Sequence, residues 1–377
     1  MIATRFAPLE PTSPKSAREQ IRDQVRELIF SGKLAPEASF PSTRELARFW
    51  QTHIPTVHHA LMPLVQEGLL VRHHGKGTFV RRPSRRLHCV GLYQVADLPG
   101  DPSTTFQRSL LTELYRLLAG AGLEADVWVD PRSVREQGRR WEPLVRAARD
   151  RVFQGLIVLP TDWRHIEWLQ RLAVPTVYHT AANLPNRVDV SRRQLVELSL
   201  TRLARQGCRS VGLISPLSTA EDPQGKPNAY LSFFDDFMAI AGDLQLEVRN
   251  EWMRLPRHPG GPGNLTYAEF GYQQFRQLWA LREKPDGLLA EPDIIAQGVV
   301  MGVVEQRVRV PQQLKLVLGK NRHVDYLCPM PATLVETDER DLAGALIEQI
   351  KTLARGQTCQ PIYVLSRLRS AAGGATT

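Results

Sequence analysis

The feature that most constrains the fold is the regular alternation of short apolar runs with amphipathic segments from Cys89 onward. The apolar runs include residues 89–95 (CVGLYQV), 155–160 (GLIVLP), 175–179 (PTVYH), 210–215 (SVGLIS) and 314–319 (LKLVLG). Continuous apolar runs are typical of strands that are buried on both faces. Strands that alternate with helices along a chain build mainly parallel, doubly wound sheets. This region is therefore predicted to be an α/β domain.

The segments between these runs carry apolar residues at helical spacing. Phe106, Leu110 and Leu114 begin one such stripe, and Gly122 ends it. Pro and Gly cluster between residues 256 and 263, which predicts a loop there. The predicted helices cover residues 106–121, 141–150, 162–172, 194–206, 229–241, 266–281, 294–306 and 340–355. About 280 residues with this rhythm are compatible with one large sheet or with two lobes.

The first 80 residues follow a different pattern. A helix is predicted from Pro14 to Ser31, and residues 42–45 (STRE) form a capping box that begins a second helix. A third helix starts near Pro55, and Pro63 within it is expected to produce a kink. Two alternating runs, LLVRH and TFVRR, then predict a hairpin that turns at residues 74–77. This order is typical of a winged helix-turn-helix, whose recognition helix enters the DNA major groove.

Positive charge is concentrated in the same region. The whole chain has 48 Lys and Arg against 39 Asp and Glu, a net charge of +9. Residues 1–88 hold 14 of the basic and 7 of the acidic residues, a net +7, and six of the ten histidines. Neutralisation of phosphates supplies much of the affinity of DNA-binding proteins, so this asymmetry favours a nucleic-acid partner. A basic face without a partner is the alternative.

The stretch HHGKGTFVRR, residues 73–82, contains glycines and histidines but fits neither a nucleotide loop nor a metal site. It lacks the Gly-x-x-x-x-Gly-Lys-Ser/Thr spacing of a phosphate-binding loop. His73 and His74 point to opposite faces of a strand, and His58 and His59 diverge on a helix. We therefore expect no metal site and no cofactor, and we expect the stretch to contact DNA.

Several other classes of protein are disfavoured. The four cysteines are far apart and form no Cys-x-x-Cys pair, so neither a disulfide framework nor a zinc knuckle is expected. No apolar run reaches about 18 residues, and the proline-broken start does not resemble a secretory signal. A cytoplasmic protein without a membrane span is expected.

The stretch from Phe40 to Val80 resembles the DNA-binding domain of the GntR family of bacterial transcription regulators. Its Pro-Ser-x-Arg-x-Leu-Ala run, Thr-Val-x-x-Ala-Leu helix, Glu-Gly-Leu and Gly-x-Gly-Thr-Phe-Val wing follow the family's order and spacing. Ile54 and His58 stand where arginines are common in the family. The resemblance assigns DNA contacts to Ser42, Thr43, Arg44, His53, Pro55, Thr56, His58, His74, Gly75 and Lys76.

The remainder resembles the effector domain of LacI/GalR-type repressors, which is similar to periplasmic sugar-binding proteins with two lobes around a cleft. Residues 284–293 (KPDGLLAEPD) and 308–319 (VRVPQQLKLVLG) carry part of this resemblance. Asp293 matches the family's cleft aspartate, whereas Ser191 replaces a common aspartate, and an arginine usual near Ser232 is missing. The resemblance assigns the ligand site to Gln94, Asp97, Thr161, Tyr178, His179, Ser215, Asp293 and Asn321.

These resemblances imply a complete domain plan. They predict a winged helix-turn-helix in residues 1–80, a linker in 81–88, an effector domain in 89–370 and a disordered tail in 371–377. They imply a homodimeric transcription regulator, most simply a repressor, which binds a roughly palindromic double-stranded DNA operator. A sugar-like small molecule is expected to bind between the lobes and to control DNA binding.

Two alternatives remain open at this point. One is a constitutive DNA-binding protein whose cleft no longer binds a ligand. The other is a pyridoxal-phosphate-dependent regulator, which needs a Schiff-base lysine, although Lys226, Lys284, Lys315, Lys320 and Lys351 have no convincing setting. No Gly-x-Ser-x-Gly elbow indicates a hydrolase, and we expect no enzyme activity.

Overall fold

The chain divides into two compact units, Met1–Arg86 and Leu87–Thr377. The structure is a computed structural model that describes residues 6–13, 15–30, 34, 39–66, 69–73, 77–80, 87–95, 103–132, 134–159, 166–172, 174–180, 183–216, 231–256, 263 and 265–371. Among these residues, no helix is long and apolar enough to cross a lipid bilayer.

The first unit is a three-helix domain with a small antiparallel sheet, as the sequence predicts. Its elements are α1 (Ala17–Phe30), β1 (Ser39–Phe40), α2 (Thr43–Phe49), α3 (Ile54–Gln66), β2 (Leu70–His73) and β3 (Gly77–Val80). The strand order is β1-β3-β2, so Ser39 and Phe40 add a third strand that the predicted two-stranded hairpin lacks. Helix α3 continues through Pro63, and the predicted kink stays a prediction.

The core of the first unit lies between α1, α3 and the segment before α1. Ile21 and Val25 of α1 and Val57 and Leu64 of α3 are fully buried. Phe6 packs edge-on against Trp50, with ring centroids 5.3 Å apart, and Trp50 Nε1 donates to the carbonyl of Ala7. These apolar stripes orient the exposed faces of α2 and α3 away from the core.

The second unit contains two six-stranded sheets, and each belongs to one lobe. The first lobe has strand order β14-β8-β7-β6-β4-β5, with every pairing parallel. The second lobe has order β10-β9-β11-β12-β13-β15, and only its pairing of β13 with β15 is antiparallel. The two-lobed, doubly wound α/β fold predicted from the strand–helix alternation and the LacI/GalR resemblance is confirmed.

The strands of the second unit are short, and four of them, β6, β7, β9 and β11, are buried along their whole length. They are β4 (Cys89–Val95), β5 (Glu124–Asp130), β6 (Gly155–Val158), β7 (Thr176–His179), β8 (Arg187–Val190), β9 (Val211–Ile214), β10 (Met253–Arg254), β11 (Gly287–Ala290), β12 (Lys315–Asn321), β13 (Thr333–Thr337), β14 (Ile362–Val364) and β15 (Arg367–Ser370). The sequence did not predict β8, β13, β14 and β15, which are short strands at or near a crossing between the lobes.

The helices of the second unit cover the faces of both sheets. They are α4 (Ser103–Gly120), α5 (Val134–Gln137), α6 (Glu142–Asp150), α7 (Ile166–Leu169), α8 (Arg192–Arg205), α9 (Leu231–Asp243), α10 (Tyr267–Trp279), α11 (Asp293–Glu305) and α12 (Glu339–Ala354). Most lie within a few residues of their predicted bounds. Helix α7 is an exception: residues 162–165 of the predicted helix 162–172 lie outside the described residues, and α7 ends at Leu169. Helix α5 was not predicted.

The chain passes between the lobes at three places. Strand β8 leads into α8, β13 leads into α12, and β14 leads into β15. Side chains join these crossings: Gln194 bonds both the nitrogen and the carbonyl of Ser366 at 3.0 Å, and Thr337 lies 2.9 Å from Ser366 Oγ. Three adjacent crossings of this kind form a hinge at which one lobe can move against the other.

The ends of the second unit lie close to the predicted boundaries. Leu87 packs against the first-lobe core, and the carbonyl of His88 accepts a hydrogen bond from Glu124, so both belong to the second unit. The nitrogen of Ala371 donates to the carbonyl of Ala332. Residues 81–86 of the predicted linker and 372–377 of the predicted tail lie outside the described residues.

Candidate DNA-binding surface and ligand cleft

The first half of the helix-turn-helix is fixed by the predicted capping box. Ser42 Oγ accepts from the nitrogen of Glu45 at 3.2 Å, and the Glu45 carboxylate accepts from the nitrogen of Ser42 at 2.8 Å. The Ser42 hydroxyl also donates to the Glu45 carboxylate at 2.8 Å, and this bond, together with the one from the Ser42 nitrogen, holds the pKa of Glu45 below its usual value. Gln51 then adopts a positive φ of 49°, which lets the chain turn sharply from α2 into α3.

The structure brings the predicted DNA contacts to the starts of the two helices. Ser42, Thr43 and Arg44 lie at the N-terminal end of α2, and His53, Pro55 and Thr56 lie at that of α3, with His58 in the next turn. Each of these side chains is exposed or half-buried. Helix N-terminal ends present unpaired N–H groups and partial positive charge, which suits contact with phosphates.

A contact that sequence reasoning missed joins the wing to the recognition helix. Arg72 Nη1 on β2 lies 2.9 Å from His58 Nε2 on α3. Arginine only donates, so His58 Nε2 accepts this bond. Arg72 is exposed, and its guanidinium lies beside His58, a position at which arginines are common in the family that this domain resembles.

The predicted contacts at the wing tip, His74, Gly75 and Lys76, lie outside the described residues. The strands on either side pair in antiparallel register, Arg72 with Thr78 and His73 with Gly77. Gly77 adopts φ of +106°, a conformation that favours glycine.

The second unit contains a cavity of about 310 Å³ between its lobes. Its wall draws on the C-terminal ends of the strands in both sheets, as expected for ligand sites in doubly wound folds. The described residues of the wall are Phe106, His179, Asp189, Val190, Arg192, Leu195, Pro216, Tyr267, Glu291, Pro292, Asp293, Ile294, Gly319, Lys320, Asn321, Val335 and Thr337.

The structure gathers only part of the predicted ligand set in this wall. His179, Asp293 and Asn321 line the cavity, and Ser215 lies behind it with its hydroxyl 2.8 Å from Glu291. Tyr178 is 1% exposed and packs in the core of the first lobe, and Gln94 is half-buried on β4; neither lines the cavity. Asp97 and Thr161 lie outside the described residues.

Tight helix packing positions Asp293. This residue begins α11, which lies so close to α10 that a Cβ on Gly298 would be 1.9 Å from the carbonyl oxygen of Ala268. A Cβ on Gly271 of α10 would likewise be 2.4 Å from the carbonyl oxygen of Ile295. Glycine at these positions allows the two helix backbones to meet, and this contact fixes where α11 starts.

Two carboxyl groups dominate the electrostatics of the cavity. Burial raises the pKa of Glu291, and hydrogen bonding from Ser215 offsets this only in part. Burial likewise raises the pKa of Asp293, whose partners are Asn321 and the nitrogen of Ile294. The sequence singled out Asp293 but missed Glu291, two residues earlier in the same strand-end segment, AEPD.

An ion pair at the hinge also lines the cavity and was missed. Arg192 Nη1 lies 2.6 Å from the buried Asp189 carboxylate, one turn apart at the β8–α8 crossing. The sequence offered one hint: Ser191 stands where LacI/GalR-type domains commonly have an aspartate. In this chain the carboxylate comes from Asp189, two residues earlier.

One group of side chains could hold a metal ion within the part of the chain that the structure describes. Ligand atoms of His323, Asp338 and Glu339 lie within 4.8 Å of one another. His323 Nδ1 is 3.1 Å from the buried Glu339 carboxylate, and Arg322 pairs with Asp338. Each carboxylate thus has a protein partner, and the group fits a structural link between β12 and α12.

Comparison with known families matches both units. Residues 17–80 match the family described as bacterial regulatory proteins, gntR family. Residues 200–367 match the periplasmic binding protein-like domain. The matches cover the helix-turn-helix with its wing, most of the second lobe, and two of the three hinge crossings, those from β13 to α12 and from β14 to β15.

Curated relatives cover part of the chain. It is 34% identical over 117 residues to the HTH-type transcriptional repressor NagR of Bacillus subtilis, 29% of this chain and 48% of the relative. It is 27% identical over 139 residues to the HTH-type transcriptional repressor PurR of Pectobacterium atrosepticum, 37% of this chain and 36% of the relative. The matched region spans half or less of each of these relatives.

Solved structures match the chain more extensively but at low identity. The lac repressor dimer bound to operator and the anti-inducer ONPF gives a TM-score of 0.56 at 17% identity, covering 78% of this chain and 96% of that chain. A regulatory protein of the LacI family from Chloroflexus aggregans gives 0.59 at 15% identity, covering 76% and 98%. At this identity the likeness shows the fold.

Proposed function

We propose that this chain, which joins a GntR-family winged helix-turn-helix to a periplasmic-binding-protein-like domain, is a DNA-binding transcription repressor controlled by a small molecule. The observation that carries the proposal is the exposed surface formed by the starts of α2 and α3 beside the wing. The basic excess of the same unit supports a phosphate-rich partner. We assign the protein no catalytic role.

The DNA contacts follow from this surface. Arg44 and Thr56 would reach base edges or phosphates at the starts of the two helices, and Lys76 would reach the groove from the wing. Two copies of the chain would present two such surfaces to a roughly palindromic operator, because a protein two-fold axis is mirrored in the DNA. Such a protein would act in the cytoplasm, where the operator is.

The cavity is assigned to the effector. Its wall comes from both lobes and includes residues at the hinge, namely Asp189, Arg192 and Thr337. A ligand that contacts both lobes stabilises their closed arrangement, and its differential affinity for the two arrangements sets how far it can shift DNA binding. A sugar-like molecule is proposed from the resemblance to sugar-responsive repressors.

The DNA-binding step is tested with an operator obtained by in vitro selection from random duplexes. We expect Arg44→Ala combined with Lys76→Ala to weaken operator binding by about tenfold or more at moderate ionic strength. Arg282→Ala, an exposed arginine of the second unit, is the matched control and should leave binding unchanged. Unaltered binding by the double variant would reject the proposed surface.

The coupling step is tested by measuring ligand affinity with and without operator. Linkage requires that operator change the ligand affinity by the same factor by which ligand changes operator affinity. Equal ligand affinities in the free and DNA-bound protein would show that the cavity does not regulate DNA binding, and would favour a constitutive DNA-binding protein.

A further inference from the structure

The charges in the cavity wall do not balance. Its two cations each have a counter-ion: Arg192 lies 2.6 Å from Asp189, and Lys320 Nζ lies 3.4 Å from Asp325. Lys320 also donates to the carbonyl of Val324. Glu291 and Asp293 form no ion pair with any residue that the structure describes. Arg192 acts on Glu291, and Lys320 on Asp293, only at longer range than an ion pair. The wall therefore holds three carboxyl groups, Asp189, Glu291 and Asp293, against two cations.

Neutral groups provide the hydrogen bonds that these carboxyl groups receive. Ser215 Oγ donates to Glu291 Oε1 at 2.8 Å, and the nitrogen of Ile294 donates to Asp293 Oδ1 at 2.9 Å. Asn321 is the further partner of Asp293. Neutral donors fix the direction of a carboxylate but do not neutralise its charge, and a buried charge without an ion-pair partner is costly. Asp293 is only 6% exposed.

His179 adds a further acceptor. Its Nδ1 lies 3.0 Å from the carbonyl oxygen of Val188, and a carbonyl only accepts, so Nδ1 carries the proton. Burial lowers the pKa of this imidazole, so the ring is neutral at neutral pH and Nε2 is an acceptor. The side chain is 8% exposed and lines the cavity, and Nε2 has no partner among the described residues.

The remaining wall suits a compact organic cation. Phe106 and Tyr267 contribute aromatic surface, and the Phe106 ring lies 5.9 Å from the His179 ring. Aromatic faces attract cations most strongly where water is excluded. The volume of about 310 Å³ is at the small end of the range for small-molecule sites, which fits a ligand of sugar size.

We propose, building on the effector role assigned to this cavity, that its ligand is a sugar-sized molecule carrying a protonated amino group. The ammonium binds at Glu291 and Asp293 and supplies the positive charge that the wall lacks, while His179 Nε2 accepts a hydrogen bond from a ligand hydroxyl. The paired Asp189 and Arg192 lie at the hinge side of the same cavity and couple ligand binding to lobe closure.

The test uses three hexoses of matched shape and different charge: glucosamine, glucose and glucuronate. Calorimetric titration of the full-length protein at neutral pH measures each affinity. We expect glucosamine to bind about ten- to a hundredfold more tightly than glucose, since hydrogen bonds to charged groups contribute about 1.5–3 kcal/mol. Glucuronate should bind most weakly. Equal or tighter binding of glucose or glucuronate, or no binding of all three, overturns the proposal.

Variants of Glu291 and Asp293 test whether these residues produce the preference for glucosamine over glucose. Glu291→Gln and Asp293→Asn should each reduce the advantage of glucosamine over glucose to within about threefold, because the amide keeps the shape and removes the charge. Asp243→Asn, an exposed residue at the end of α9, should keep the full advantage. An undiminished preference in both cavity variants overturns the assignment. Operator binding measured on the same samples separates the outcomes, because its retention leaves the repressor proposal standing when the amine preference fails.

Discussion

Arg72 Nη1 on the wing strand β2 lies 2.9 Å from His58 Nε2 on the recognition helix α3. This bond holds a permanently charged guanidinium beside the helix that we propose for the major groove. We expect Arg72→Ala to weaken binding by a similar factor on the selected operator and on random duplex. We also expect it to lower the salt dependence by about one phosphate contact. Fluorescence anisotropy across a series of salt concentrations measures both.

His58 provides the matched comparison for Arg72. His58→Ala removes the acceptor and frees the guanidinium, so we expect a smaller loss of affinity than in Arg72→Ala and an unchanged salt dependence. If Arg72→Ala binds DNA with the same salt dependence as the unmodified protein, Arg72 does not contact the phosphates.

The contact between α10 and α11 predicts an intolerant glycine. A Cβ on Gly298 would lie 1.9 Å from the Ala268 carbonyl oxygen and 2.7 Å from the Tyr272 nitrogen. Neither backbone atom can move without separating the helices, so Gly298→Ala should lower the free energy of unfolding by about 1–3 kcal/mol or more. Chemical denaturation measures this change.

Gly242 on α9 is the control for that substitution. An added Cβ there meets no atom within 4 Å. Gly242→Ala should therefore leave stability unchanged or raise it by up to about 1 kcal/mol, because alanine favours the helix. Equal effects of the two substitutions would contradict the close approach of α10 and α11.

A buried carboxylate at the edge of the first lobe predicts a pH-dependent stability. Burial alone raises the pKa of Asp130, but bonds from Arg132 at 2.8 Å and from the hydroxyl of Tyr93 outweigh burial and hold the pKa below its usual value. We expect Asp130→Asn to lower the free energy of unfolding by about 1.5–3 kcal/mol at neutral pH.

The sign of the pH dependence follows from the lowered pKa. The stabilisation from Asp130 is fully present above the unfolded-state pKa of about 3.9 and is lost as the pH falls through the lower folded-state pKa. The difference between Asp130→Asn and the unmodified protein should therefore shrink in acid. Exposed Asp150→Asn should show little difference at any pH, and a constant difference for Asp130→Asn would contradict the ionic contribution.

Much of the fold could be predicted because its signals are local. The capping box at Ser42 and Glu45 and the apolar strands ended by polar residues each depend on a few adjacent residues. Strands β8, β13, β14 and β15 were missed because each has only three to five residues and forms only when distant segments meet at the hinge. The pairing of Ser39 and Phe40 with β3 is non-local in the same way.

The candidate site residues were likewise predicted where the signal is local and missed where it depends on contacts between distant segments. Asp293 follows β11, and His179 and Asn321 end β7 and β12. Sequence order alone therefore suggested one edge of the sheets, and the structure places all three residues in the cavity wall. Tyr178 was misleading, because alternate strand residues point to opposite faces and its side chain lies in the core. Arg72 with His58, and Asp189 with Arg192, become significant only through contacts, which single-sequence reasoning does not supply. Their functional roles stay predictions.

The final prediction concerns the energetic cost of Glu291, a buried carboxylate without an ion-pair partner among the described residues. Because burial raises the pKa of Glu291, the folded protein binds more protons there than the unfolded chain between the ordinary and the raised pKa, and stability falls as the pH rises through that interval. Glu291→Gln removes this cost and can still accept from Ser215. We therefore expect it to raise the melting temperature of the ligand-free protein at neutral pH, with the gain disappearing in acid, where Glu291 is protonated.

Glu305→Gln, an exposed residue at the end of α11, is the control, and it should not reproduce the gain. A melting temperature of Glu291→Gln below that of the unmodified protein at neutral pH would mean that another group already compensates this carboxylate. The cavity would then have no need of a cationic ligand at Glu291. Thermal unfolding of the two variants and the unmodified protein across the pH range therefore tests the charge imbalance without any ligand.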